Sequence, residues 1–181
     1  MASLRGKLLI ASPALVDPNF ARTVVLIAEH SDDGAMGLVL NRPADATVSE
    51  AIDELAGLVD SGDPVFVGGP VQAESVMVLA EFDEPELAAA IVLGDIGFLP
   101  ADGDLGTLAG HVLRTRVFAG HSGWGPGQLD AELEEGSWIV GELGDGELFA
   151  EGTEDLWGRA LERKGGAYAL LARIPEDPSV N

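Results

Sequence analysis

The sequence predicts an α+β fold, with a mixed and mostly antiparallel sheet in a single domain spanning residues 1–181. Two observations predict this class. Short apolar segments typical of strands outnumber the helical segments and do not alternate strictly with them, unlike the pattern of a doubly wound sheet. The length suits one domain, and the 46% of apolar residues is enough for a substantial core.

The first three predicted strands lie between residues 8 and 40. Leu8–Ala11 is a short apolar run. Thr23–Ala28 is rich in β-branched residues and apolar almost throughout, which indicates a central strand buried on both faces. Met36–Leu40 follows a turn at Ser31–Gly34, and the Asp-Gly pair in this short turn predicts a hairpin.

A helix is predicted next, because Thr47-Val-Ser-Glu50 has the pattern of a capping box. Six apolar residues then share one helical face: Val48, Ala51, Ile52, Leu55, Leu58 and Val59. Strands are predicted at Val65–Val67 and Val76–Phe82, around a turn at Gly68–Pro70. Residues 85–99 carry mixed signals, from which we expect a helical turn followed by a hairpin.

The segment after residue 112 is predicted to contain a strand, a short helix and another strand. Thr115–Ala119 is the first strand, and a glycine-rich loop follows it. Pro126–Glu135 is the helix, with Gly136 as its C-terminal stop. Trp138–Val140 is the second strand.

A last helix is predicted to begin at Thr153 as its N-cap. Glu154-Asp155 would lie in its first turn and Arg163-Lys164 in its last, where these charges complement the helix dipole. Gly165-Gly166 ends the helix, and the apolar run Tyr168–Ala172 is predicted to be a final strand.

The charge of the chain argues against nucleic acid as a partner. Ten basic residues stand against 31 acidic ones, which gives a net charge of −21, and no Lys or Arg occurs between Pro43 and Leu113. Binding to DNA or RNA requires Lys and Arg to neutralise phosphates. We therefore expect no direct nucleic-acid binding, while the identity of a protein partner and the oligomeric state stay open.

The residue types also exclude several chemistries. The absence of cysteine removes disulfides, thiolate catalysis, zinc–thiolate sites and iron–sulfur clusters. The three histidines show no paired metal-ligand spacing, so no metal and no cofactor are predicted. No apolar run reaches the roughly 18 residues of a membrane span, and the apolar run near the N-terminus is shorter than a secretory signal requires. A cytoplasmic protein is expected.

The most distinctive segment is Phe118–Leu129, which combines four glycines with a proline, a tryptophan and a histidine. Glycine at this density lets the backbone approach another chain or a ligand closely. With a helix beginning at Pro126, the first-turn amides would face outward and receive an anion. We expect a ligand or partner surface from three loops, Asn41–Pro43, Gly68–Pro70 and Gly120–Gln128. Its candidate residues are Asn41, Arg42, Gly68, Gly69, Gly120, His121, Ser122, Trp124, Gly127 and Gln128.

Each of these candidates also has a plainer interpretation. Gly120–Trp124 fails as a nucleophile elbow, because Trp124 replaces the second glycine that close packing around a serine requires. Gly68–Pro70 lacks the lysine and hydroxyl residue of a phosphate-binding loop and is typical of a tight turn. Arg42 could clamp an anionic ligand or pair with one of the many acids.

The aromatic and acidic residues around the glycine-rich segment have two interpretations as well. Glu132, Glu134 and Glu135 suggest either general acid–base carboxylates or, more simply, a solvated helix face. The three tryptophans are interpreted as anchors of the core and loops rather than as a cofactor site. We expect Trp124 to pack partly against the body of the protein.

A series of stretches follows one another along most of the chain. They are Gly6–Pro13, Asp17–Phe20, Arg22–Val25, Glu29-His30, Gly34–Pro43, Phe66–Val71 and Ala119–Leu129, with Trp138 beyond. Together they resemble the AlgH/YqgE family of bacterial proteins. The tail Leu170–Asn181 resembles an actinobacterial branch of that family, whereas Pro85–His111 contains no family motif.

The resemblance implies a single α+β domain whose bifurcated sheet folds into a barrel-like body with flanking helices. It implies no settled catalytic residues and no known cofactor, and many members carry the name of transcriptional regulators. We expect a cytoplasmic, non-enzymatic protein with a regulatory or protein-interaction role and no direct DNA binding. The alternative is an enzyme, or a binder of a small anion or small molecule, with its site at the three loops.

Overall fold

The computed structural model describes residues 2–52, 55 and 62–175. Their strands are β1 Lys7–Ala11, β2 Val24–Ser31, β3 Gly34–Val39, β4 Pro43–Thr47, β5 Pro64–Val67, β6 Val71–Phe82, β7 Ala90–Leu93, β8 Ile96–Phe98, β9 Val112–Trp124 and β10 Trp138–Glu142. Their α-helices are α1 Val48–Ala51, α2 Leu105–Leu108, α3 Gln128–Glu134, α4 Leu156–Lys164 and α5 Ala167–Leu171. Short 3-10 turns lie at Pro85–Leu87, Ala109–His111 and Glu147–Phe149. None of the described helices is long and apolar enough to cross a membrane.

One sheet contains all ten described strands and branches at β9. Its main path runs β10-β1-β2-β3-β9-β6-β8-β7, with antiparallel pairing throughout. β5 pairs with β9 in parallel, Phe66 opposite Phe118, and β4 pairs with β5. The predicted α+β class and bifurcated sheet are therefore confirmed. The two ends of the described path, β7 and β10, do not pair with each other, so the sheet is not a closed barrel. It is nevertheless strongly curved, because Gly6, just before β1, lies close to β7: a Cβ on Gly6 would be 3.1 Å from the carbonyl oxygen of Val92. The body is therefore at most barrel-like.

The strand β2 is buried on both faces, as its continuous apolar run predicted. Val24 and Leu26 face a core cluster that includes Phe118, and helix α4 covers this cluster with Trp157. Val25 faces a second cluster on the opposite side of the sheet, which contains both other tryptophans. The hairpin of β2 and β3 and the turn-plus-hairpin predicted for residues 85–99 are confirmed.

The helix predicted after Thr47 is shorter in the structure. The capping box is confirmed, since Glu50 N donates to the Thr47 hydroxyl and Thr47 N to the Glu50 carboxylate. However, α1 ends after one turn because Ile52 is extended, with φ −145° and ψ 90°. So short a helix is marginally stable by itself, so its conformation depends on tertiary contacts. Val48 and Leu55 provide them by packing on the cluster around Val117. The predicted positions Leu58 and Val59 lie outside the described residues.

Two predictions near the C-terminus were wrong. Thr153 is not the N-cap, because α4 begins at Leu156, after Asp155 in the N-cap position. The segment predicted as a final strand is the helix α5. At the end of the sheet, Lys164 Nζ and Arg163 Nη2 donate to two carbonyls of β10, at 2.6 and 3.2 Å. These contacts occupy the edge beside which a further strand would have to pair.

The glycine-rich segment is largely a strand rather than the predicted loop. β9 continues through it to Trp124, and its last three residues pair with β3, with Ser122 opposite Gly37. The strand can continue because its partners change along its length. β6 lies along one edge, while β5 and then β3 lie along the other. Helix α3 begins at Gln128, two residues later than predicted, and Gly136 follows its end with φ +82°.

The chain between β5 and β6 crosses β9 at this segment, and we call this contact the glycine crossing (Gly68–Pro70 over Gly120–Ser122). A Cβ on Gly68 would lie 2.4 Å from the carbonyl oxygen of Gly120, and a Cβ on Gly69 would lie 2.3 Å from that of His121. Real Cβ atoms do not approach backbone this closely. Only glycine therefore allows β5 and β6 to lie on opposite edges of the same strand.

Substitution of Gly68 by alanine tests the crossing. Gly68 is not in the left-handed region, so the added methyl group reports steric contact alone. We expect Gly68→Ala to lower the free energy of unfolding by about 1–3 kcal/mol, the usual cost of overpacking. Urea unfolding measures this.

The matched control for this prediction is Gly158→Ala in α4, where a Cβ meets no atom within 4 Å. It should raise the free energy of unfolding by about 0.5–1 kcal/mol, because alanine favours a helix over glycine. Equal unfolding midpoints for Gly68→Ala and the wild type would contradict the statement that the glycine crossing has no room for a Cβ at residue 68.

Candidate functional site

The structure places Asn41 and Arg42 at the end of β3, where both side chains bind backbone. Asn41 Oδ1 accepts from Val24 N at 3.0 Å, and its Nδ2 donates to Arg22 O at 2.9 Å. Arg42 donates to the carbonyl oxygens of Asn19 and Ala21, at 2.7 and 3.1 Å. Burial lowers the pKa of Arg42, and the charge of Asp17 partly offsets this. The guanidinium thus fixes the chain before β2, and of the two roles that the sequence suggested only an interaction with an acid, Asp17, has support.

Ser122 lies inside the glycine crossing and is fully buried. Its hydroxyl donates to Gly68 O at 3.1 Å, and the same oxygen accepts from Val39 N at 2.9 Å. Gly68 N donates to Ala119 O at 2.9 Å. The hydroxyl therefore joins β3, β9 and the crossing chain, and a substrate would have no access to it. This geometry agrees with the rejection of a nucleophile elbow.

Of the next predicted residues, Trp124 and Gln128 both contact a half-buried carboxylate, that of Glu132. Glu132 Oε1 accepts from the indole nitrogens of Trp124 and Trp138, at 3.2 and 2.9 Å. Gln128 Nε2 donates to the other oxygen of Glu132 at 2.8 Å. The two indoles meet edge to face, with ring centroids 6.0 Å apart. Trp124 is only 6% exposed, so its predicted role as an anchor is confirmed.

The prediction of outward, anion-receptive amides at Gly125–Gln128 was wrong at both ends of that segment. Gly125 N donates to Gln128 Oε1, and Gln128 N donates to Gly125 O, each at 3.0 Å. Gly127, with φ +75°, turns the chain into α3. The amides at the two ends of the segment are therefore used within the chain itself.

The three predicted loops do meet, although mainly through backbone. Val67 N donates to Arg42 O at 2.8 Å, which joins the first loop to the strand before the second. The second and third loops touch at the glycine crossing. Within the described residues, His121 Nδ1 is buried without a hydrogen-bond partner. Most polar groups that the sequence proposed for a ligand are thus engaged in holding the fold together.

The structure forms a different concave site, which we call the apolar groove. It has a volume of about 650 Å³. Its lining comes from the β2–β3 hairpin, the segment after α1, the middle of β6, and the chain from β8 into α2. The lining residues are Glu29, Met36, Ile52, Leu55, Val76, Met77, Val78, Ala89, Phe98, Leu99, Pro100, Ala101, Gly103 and Leu105.

The chemistry of the apolar groove favours binding over catalysis. Among its described lining residues, Glu29 alone carries a polar side chain, so the groove offers no nucleophile paired with a base. None of the ten Lys and Arg residues lines it. Elsewhere in the described residues, no three His, Asp or Glu side chains gather in a way that suits a metal ion.

Sequence analysis missed the apolar groove because its lining is scattered along the chain. Residues 85–111, where no motif was found, supply half of it. One signal was present, namely the absence of Lys and Arg between Pro43 and Leu113. That gap includes most of the lining, but only the fold brings the lining residues to one place.

The carboxylate of Glu132 can be tested by substitution. Glu132→Ala leaves two indole N–H groups buried without an acceptor, so we expect the free energy of unfolding to fall by about 1–3 kcal/mol. The neighbouring Glu134→Ala is the control, because Glu134 is exposed on the same helix and should change stability by less than about 0.5 kcal/mol. Chemical denaturation followed by tryptophan fluorescence measures both. Similar losses of unfolding free energy in the two variants would show that the Glu132 carboxylate does not stabilise the fold by accepting from the two indoles.

Comparison with known proteins identifies relatives over nearly the whole chain. A model of the AlgH-like family matches residues 8–169. A UPF0301 protein of Streptomyces coelicolor is 41% identical, in an alignment covering 100% of this chain and 97% of that protein. A UPF0301 protein of Chlorobium limicola is 40% identical, with coverage of 97% and 95%. The Streptomyces relative agrees with the actinobacterial resemblance of the C-terminal tail.

Two solved structures share the fold. A crystal structure of protein DIP2367 from Corynebacterium diphtheriae superposes with a TM-score of 0.86 at 28% identity, covering 95% of this chain and 92% of that one. The solution structure of the AlgH protein from Pseudomonas aeruginosa gives 0.73 at 30% identity, with coverage of 95% and 94%. The family model and these relatives agree over nearly all of the sequence, and the chain belongs to the AlgH-like family.

Proposed function

We propose that this protein is a regulatory interaction module of the cytoplasm, which binds a protein partner through the apolar groove and does not bind nucleic acid directly. The observation that supports this function is the groove itself, an apolar concavity of about 650 Å³. Apolar concavities of this size are typical of binding sites. Val76, on its lining, is 45% exposed although it is apolar.

The methionines favour an adaptable binding surface. The chain has three methionines, and the two that follow Met1, Met36 and Met77, both line the apolar groove. Methionine is unbranched and polarizable, so it adjusts to different partner shapes, and surfaces that bind several partners use it often. A regulatory module benefits from such a surface.

The contacts of the basic residues disfavour nucleic-acid binding. Eight of the ten Lys and Arg side chains donate hydrogen bonds or form ion pairs within the chain itself. Arg116 is an example, since it is nearly buried, donates to Ala150 O at 3.0 Å and lies over the ring of Phe66. Few cations are left to neutralise phosphates, on a chain whose net charge is −21.

A second candidate function is a binder of a small anion or small molecule, or an enzyme, at the three loops Asn41–Pro43, Gly68–Pro70 and Gly120–Gln128. One observation favours it: the buried Nδ1 of His121 lacks a hydrogen-bond partner among the described residues. A ligand with a hydrogen-bond group could supply that partner. The apolar groove supports the first proposal more strongly, because it offers an open surface rather than one unpaired atom.

Partner capture with two charge-matched variants tests the proposed function. Val76→Lys places a charge in the apolar groove, whereas Leu113→Lys places the same charge at an exposed position outside its lining. Both positions are exposed enough that we expect both variants to fold. Proteins cross-linked to the wild type would be purified and titrated against all three chains. We expect a partner that binds Leu113→Lys normally and Val76→Lys at least about tenfold more weakly. If every captured protein binds the three chains equally, the groove is not the interaction site.

Nucleic-acid binding is tested by fluorescence anisotropy with labelled duplex DNA and single-stranded RNA. We expect dissociation constants weaker than about 10⁻⁴ M at physiological salt, because counterion release needs free Lys and Arg. Micromolar binding that weakens steeply as salt is raised would contradict this expectation.

A further inference from the structure

We propose that the occupant of the apolar groove is a cationic amphipathic helix of the partner protein, an inference that rests on the proposed function. Two properties of the groove define this partner. Its lining demands apolar side chains, and its surroundings demand positive charge.

The first property is the soft apolar lining. Side chains from four strands and from the segment around α2 converge there, including Met36, Met77 and Phe98. An amphipathic helix fills such a groove with apolar residues at positions i, i+3, i+4 and i+7, and methionine adapts to their shapes. The partner therefore presents one continuous apolar face.

The second property is the charge around the lining. Glu29 lines the apolar groove, and Asp102 lies between the lining residues Ala101 and Gly103. Both carboxylates are exposed, and neither forms an ion pair or side-chain hydrogen bond within the described part of the chain. With no Lys or Arg in the lining, a polar face rich in Lys and Arg is complementary.

A partner that adds a β-strand through main-chain hydrogen bonds suits the apolar groove less well than a helix does. Addition of a strand needs a free row of backbone donors and acceptors. On the β6 part of the lining, Val78 O already accepts from Leu99 N at 2.9 Å, and β9 pairs along the other edge. The affinity for a partner would therefore come mainly from side-chain packing. A helix binds in this way, because its own main-chain groups are already hydrogen-bonded.

Charge also argues against the other occupants. A second copy of this chain would bring together two surfaces that each belong to a chain of net charge −21. A fatty acid would find no Lys or Arg in the lining to pair with its carboxylate. A cationic helix meets neither problem.

The experiment uses labelled model peptides of about 15–18 residues, a length at which helices become stable. The first peptide contains Leu at i, i+3, i+4 and i+7 and Lys elsewhere. The second replaces every Lys by Glu. The third keeps the composition of the first but alternates Leu and Lys, which suits a strand. Fluorescence anisotropy is measured with the wild type, Val76→Lys and Leu113→Lys, at low and at physiological salt.

We expect the helical Leu/Lys peptide to bind at least about tenfold more tightly than each of the other two. Val76→Lys should weaken its binding at least about tenfold, whereas Leu113→Lys should leave it within about twofold of the wild type. The last pair of variants separates the groove from general attraction, because each changes the net charge from −21 to −20. Glu29→Gln should also weaken binding, whereas Glu134→Gln, on α3, should not.

Several outcomes would overturn this inference. They are equal binding of the Lys and Glu peptides, tighter binding of the alternating peptide, and equal binding to Val76→Lys and Leu113→Lys. Light scattering that shows a wild-type dimer, with Val76→Lys monomeric, would assign the groove to a second copy. Binding of dodecanoate that displaces the helical peptide and is itself lost in Val76→Lys would assign it to an apolar small molecule.

The failure of this inference and of the proposed function can be told apart. Suppose that a captured partner needs Val76 but binds equally at low and high salt, through a segment without Lys or Arg. That result would refute the cationic helix and leave the proposed function standing. If no captured protein depends on Val76, the proposed function fails whatever the model peptides do.

Discussion

The glycine crossing is the constraint on which the arrangement of the sheet depends. At this point the chain leaves one edge of β9 and passes over it to the other edge, and the backbones are too close for any Cβ at Gly68 or Gly69. Because of the crossing, β9 pairs with β5 and β3 on one edge and β6 on the other. The branch in the sheet follows from it.

Polar side chains in and around the most distinctive segment of the sequence are largely used within the fold. Ser122 is buried and bonds to the crossing chain, and Trp124 is tied to Glu132. Arg42 binds carbonyl groups beside β2. Serine, glutamate and arginine side chains, which in other contexts serve catalysis or anion binding, here form hydrogen bonds with backbone and indole groups. Without these bonds the buried groups would lower the stability of the fold.

The apolar groove, to which we assign the proposed function, lies elsewhere on the same scaffold. The β2–β3 hairpin supplies Glu29 and Met36 to the apolar groove, and β6 supplies Val76 and Met77 after it has passed the crossing. The scaffold that the glycines make possible therefore also places the two methionines at one site. A protein-interaction role fits a groove whose described lining has apolar side chains and one carboxylate.

The sequence by itself determined the local features. Continuous apolar character revealed β2 as a doubly buried strand, Thr47 and Glu50 identified a capping box, and the net charge predicted that the chain does not bind nucleic acid. Tertiary structure alone decided the rest. The segment predicted as a last strand forms the helix α5, and most of the glycine-rich segment is a strand because it has partner strands on both edges. Periodicity reports which side chains are buried along one element, but strand partners, chain crossings and cavities depend on contacts between residues far apart in sequence, which no local pattern encodes.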